Sequence, residues 1–82
     1  MSANRIAVIS IITEAREQSP KINAVLSEFG DFIIGRMGIP YKEKSVFIIS
    51  VAVDAPTEVI NTITGKIGQL NGVTAKTLMA KI

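Results

Sequence analysis

The chain has 82 residues, 48% of them hydrophobic, with nine Lys and Arg against seven Asp and Glu for a net charge of +2. It holds no cysteine and no histidine, which excludes a disulfide framework, a thiolate or imidazole metal site, a cysteine nucleophile and the usual general base near neutral pH. Its basic residues run from Arg5 to Lys81 without the clustering of a nucleic-acid footprint, and its longest apolar run, VFIISVAV, is eight residues against the ~20 of a membrane-spanning helix.

Length and apolar content predict one domain over residues 1–82. The N-terminal apolar run is followed closely by charge and has no small-residue cleavage pattern, so a mature cytoplasmic protein is expected. RIAVISIIT (5–13) is rich in β-branched residues and reads as the first strand. The polar stretch EAREQS leads to a predicted helix, with Ser19 as cap and Pro20 at the first helical position, where a missing N–H is tolerated. Ile22, Val25, Leu26 and Phe29 recur at helical spacing as one apolar stripe. Gly30 is expected to take the left-handed conformation that ends a helix. DFIIGRMGI (31–39) reads as a weakened strand, since glycine inside a strand marks a bulge or an edge, and PYKEK follows as a polar turn. SVFIISVAV (45–53) carries the strongest strand signal. Asp54, Ala55 and Pro56 read as a second helix start with Asp54 in a capping role, and Val59, Ile60, Ile63, Ile67 and Leu70 as a second stripe. Gly65 and Gly68 inside that helix each cost about 1 kcal/mol against alanine, which predicts close approach of helix to sheet. Asn71 and Gly72 close the helix, and VTAKTLMAKI (73–82) alternates as the last strand.

The order β-α-β-β-α-β predicts an α+β, ferredoxin-like sandwich: a four-stranded antiparallel sheet with two helices on one face. The first and third strands, the most apolar, belong at the centre of the sheet. In the third, Phe47, Ile49, Val51 and Val53 can face the helices, leaving Val46, Ile48, Ser50 and Ala52 on the other side. In the first, Ala7, Ile9 and Ile11 share one parity and Ile6, Val8 and Ile12 the other. Strands apolar on both faces are usually covered on both. Two helices cover one, so a second copy is expected on the other.

Gly35-Arg-Met-Gly38 is not placed as a phosphate cradle, which leads into a helix, nor as the KH-type loop that joins two helices. It runs into Ile39-Pro40 and another strand, the pattern of an irregular edge, though the same glycines leave room for a ligand. The carboxylates give no acid/base pair: Glu14 and Glu17 flank Arg16, and Glu43 lies between Lys42 and Lys44. No catalytic residues, cofactor or metal are expected.

The blocks IIGRMGIPY and ITGKIGQLNGVTAKT strongly resemble a family of small bacterial iron-only hydrogenase system regulators, ACT-like domains similar in fold to the C-terminal domain of nickel-responsive regulators. The resemblance spans RIAVISI through TAKT, and RMGIPY is its most specific block. Nickel-responsive regulators hold metal through histidine and cysteine, so that site does not transfer. The turn after the first strand also lacks the glycine usual in ACT amino-acid sites. No ribbon-helix-helix or helix-turn-helix segment precedes the first strand, so a transcriptional role would pass through a partner or an assembly surface.

The resemblance implies a non-enzymatic, ACT-like regulatory module that self-associates, as a dimer or tetramer, and senses a small ligand. ACT-type sites lie where the first β-α turn meets a neighbouring subunit, which matches Thr13, Glu14, Arg16 and Ser19, with Asn23 in reach. Arg36 and Gly38 follow through the same resemblance. A helix N-terminus favours an anionic metabolite. The alternatives are a structural interaction module without ligand, and a nucleic-acid-binding sandwich. The latter lacks aromatic platforms, since Phe32 and Phe47 serve packing and Tyr41 stands alone.

Overall fold

The fold is read from a computed structural model that describes residues 3–80. Its elements follow the predicted order: β1 (Asn4–Thr13), α1 (Ser19–Glu28), β2 (Ile33–Tyr41), β3 (Val46–Pro56), α2 (Thr57–Gly68) and β4 (Val73–Met79). Short 3-10 turns occupy Arg16–Gln18, Gly30–Phe32 and Lys42–Lys44. The sheet order is β2-β3-β1-β4 with every neighbouring pair antiparallel, which puts the two most apolar strands at the centre and makes the fold ferredoxin-like.

Alternation along the central strands builds the core. Ala7, Ile9 and Ile11 of β1, with Ile49, Val51, Val53 and Ala55 of β3, are buried with Ile22 and Leu26 of α1 and Ile60, Ile63 and Ile67 of α2. The intervening positions form the other face. There Ile39, Ile48, Ile12 and Thr74 make one row across the four strands, and Gly35, Ala52, Val8 and Leu78 another. Ile6, Ile12, Met37, Ile39 and Leu78 are exposed on it.

Several local expectations change. Ser19 is not a cap. The 3-10 turn before it already has helical backbone at Gln18 (φ −84, ψ −10), so Ser19 (φ −53, ψ −44) is simply the first helical residue. A capping residue is typically extended, and neither Gln18 nor Ser19 is. Asp54 is not a helix cap either: β1 offers ladder partners as far as Pro56, so β3 runs on and Asp54 pairs with Ile6. Gly30 takes no left-handed turn; Gly72 does, at φ 79. β2 continues through Pro40 to Tyr41, because the missing N–H of a proline is harmless on an edge. Its bulge falls between Ile33 and Gly35, leaving Ile34 as the extra residue. Gly65 has nothing within 4 Å of where a Cβ would stand, and Gly68 only the Ala75 Cβ at 3.9 Å, an ordinary contact. Helix-to-sheet approach therefore does not require either glycine. Of the last predicted strand, residues 81–82 lie outside those described.

Candidate functional site

The predicted site residues fall into distinct settings. Thr13 ends β1 with its side chain buried. Its hydroxyl accepts the Ala15 N–H at 2.8 Å and donates to the Gly72 carbonyl at 2.8 Å. Both its roles are thus spent on tying the first turn to the start of β4. Glu14 and Arg16 are exposed in the connection after it, and Ser19 is half-buried at the start of α1. Asn23 and Arg36 are brought together across α1 and β2: the Arg36 Nη2 donates to Asn23 Oδ1 at 2.8 Å. Gly38 lies against the ring of Phe47, whose Cε1 would stand 3.3 Å from a Cβ added there.

Arg16 separates from Asn23 and Arg36. It lines an open cleft of about 190 Å³ with Pro40, Tyr41, Lys42, Ser45, Val46 and Phe47. Apart from Arg16, every one of these comes from the β2–β3 hairpin, and none was singled out as a ligand residue from the sequence. The available signal was the burst of charge after Pro40. A further feature had no sequence signal: Ser45 sits at φ 55, the one non-glycine residue with positive φ among those described. The hairpin closes through the Ser45 N–H donating to the Lys42 carbonyl at 3.2 Å, and the Tyr41 hydroxyl donates to Glu43 Oε2 at 3.1 Å. No carboxylate lines the cleft. Among the described residues, neither Arg16 nor Lys42 has an ion-pair partner, and no group of three or more metal-ligating carboxylates occurs.

A family model described as "TM1266-like: Iron-only hydrogenase system regulator, putative" matches residues 5–77. The chain belongs to the TM1266-like family. The TM1266 protein of Thermotoga maritima is 32% identical to it and superimposes with a TM-score of 0.89, over 95% of this chain and 99% of that one. The ACT domain of the GTP pyrophosphokinase of Chlorobium tepidum is 22% identical, with a TM-score of 0.78 over 93% and 100% of the two chains. A nitrogen regulatory PII-like protein from Thiomonas intermedia K12 is 16% identical, with a TM-score of 0.60 over 95% and 92%. These last two likenesses are of fold. No curated protein matches the sequence. The family match includes Arg16, the Arg36–Asn23 pair and the whole β2–β3 hairpin, so the TM1266-like unit contains both candidate regions. No described helix is long and apolar enough to cross a membrane.

Proposed function

We propose that this chain is a cytoplasmic, non-enzymatic regulatory module that self-associates through the uncovered face of its sheet and responds to a small anionic ligand. The observation that carries the reading is the uncovered face itself. Its two apolar rows flank a central row of Met37, Ser50, Ser10 and Lys76, in which the one charge stands on the edge strand. A lysine there can extend its ammonium past the rim of an interface while its stem stays covered. A second copy laid on this face removes Ile12, Ile39 and Leu78 from water, and roughly 800 Å² per partner makes an ordinary stable interface. Membership of a regulator family supports the regulatory role, and the PII-like relative in fold was solved with ADP, AMP and bicarbonate bound, all anions.

Light scattering on a sizing column at micromolar concentration tests the assembly. A mass at or above twice the 8.8 kDa of one chain is expected; the mass of a single chain overturns it. A thermal-shift screen of amino acids, nucleotides and small carboxylates tests the ligand. A ligand at 100 times its dissociation constant adds about 2.7 kcal/mol of stability. Flat curves throughout would leave a structural interaction module in its place.

A further inference from the structure

The cleft between the first β-α connection and the β2–β3 hairpin has a composition that specifies a guest. We infer that it binds a small molecule joining one anionic group, a carboxylate or a phosphate, to a flat ring. The inference deepens the ligand-sensing part of the proposed function and makes no use of self-association.

Two cations face the cleft from separate elements, Arg16 from the 3-10 turn before α1 and Lys42 from the turn of the hairpin. Neither is neutralised by a partner among the described residues. Two unpaired positive charges converging on a concave surface attract each other's counter-ion, and a guanidinium fork matches carboxylate and phosphate alike. Glu43, between Lys42 and Lys44, does not line the cleft and takes the hydroxyl of Tyr41 instead. That bond holds the carboxylate to its own hairpin.

The rest of the lining is apolar or a hydroxyl. Pro40, Val46, Phe47 and the ring of Tyr41 offer a surface on which a flat ring can lie in offset or edge contact. Ser45 adds a hydroxyl, and its left-handed backbone is one that residues other than glycine, asparagine and aspartate seldom adopt. The volume, about 190 Å³, corresponds to roughly half a dozen water molecules at the ~30 Å³ each takes in the liquid. That suits a single ring with its substituent and is small for a nucleic-acid strand.

The test is a titration of the full-length protein, ¹⁵N-labelled and followed by NMR, with benzoate and phenyl phosphate as probes. Inorganic phosphate and benzyl alcohol serve as the half-ligands. Shifts centred on Arg16, Lys42, Ser45 and Phe47 are expected with a ring-bearing anion, weaker with either half alone and weakened further by salt. Comparing benzoate with phenyl phosphate decides which anion is preferred. Arg16→Ala combined with Lys42→Gln, both at exposed positions, should leave the spectrum folded and weaken binding by roughly 10- to 100-fold, as for loss of charge-assisted hydrogen bonds. Arg36→Ala should bind as the wild type does. Full binding by the double variant overturns the inference, as do shifts centred on Asn23 and Arg36 or no binding by either ring-bearing anion. If neither ring-bearing anion shifts the cleft and the wider thermal-shift screen finds a ligand that acts elsewhere, the cleft is excluded while the proposed sensing role stands.

Discussion

Thr13 occupies a buried position where a hydroxyl has two backbone partners, the Ala15 N–H and the Gly72 carbonyl. A buried backbone group left without a partner costs about 1–3 kcal/mol, so the residue acts as a staple between two connections. Thr13→Val keeps the shape and removes both bonds. It should lower stability by about 1–3 kcal/mol in urea unfolding, with the spectrum of the Arg16 cleft otherwise retained; an unchanged midpoint would show that water replaces the hydroxyl. The staple closes on Gly72, whose φ of 79 suits glycine and whose added Cβ would stand 3.1 Å from the Ala15 Cβ. The resemblance to ACT-like domains singles out Thr13 as a candidate ligand residue. Its tie to the Gly72 carbonyl was not legible in the sequence, because that partner lies 59 residues away in the chain.

At the scale of elements, α2 carries two glycines that its packing does not require. Gly65 is exposed, has ordinary negative φ and finds nothing within 4 Å of an added Cβ. Gly65→Ala should therefore stabilise the fold by about 0.5–1 kcal/mol, through helix propensity and a less disordered unfolded chain. For a domain of this size that is a rise of several degrees in melting temperature. A fall would mean that another molecule approaches α2 at that point. Between the helices, Lys66 Nζ reaches Glu28 at 3.2 Å and stands 5.4 Å from the ring centre of Phe29. Both charged side chains are about half exposed, so the pair contributes at most about 1 kcal/mol. The helices are held to the sheet by their isoleucine and leucine stripes instead.

For the whole molecule, the sheet has one face sealed by helices and one face that they leave uncovered. Ile48 is half-buried on the uncovered face, between Ile39 and Ile12. Because the helices do not cover it, a charge there need not be desolvated within one chain, whereas it would be inside an interface. Ile48→Asp should accordingly yield a folded single chain by circular dichroism and light scattering where the wild type runs as an assembly. An assembly of undiminished mass would place the contact elsewhere, and an unfolded variant would show that the face supports the chain's own fold. The same substitution at Ile49, one residue on and fully inside the core, should abolish folding.

Order and type of the elements, the central place of β1 and β3, and the two-faced apolarity of both were determined by the sequence alone. The reason is that strand and helix periodicities are local: alternate positions along RIAVISIIT and SVFIISVAV, and the stripes of α1 and α2, are set by residues only a few places apart. Where the elements start and stop was decided by tertiary pairing. β3 continues through Asp54 because β1 lies beside it, and Ser19 loses its capping role to a 3-10 turn that no residue type announces. The cleft belongs wholly to this second class. Arg16 and the Tyr41–Phe47 hairpin are far apart in sequence, and they meet only because the fold brings the first β-α connection and the β2–β3 turn to one end of the sheet.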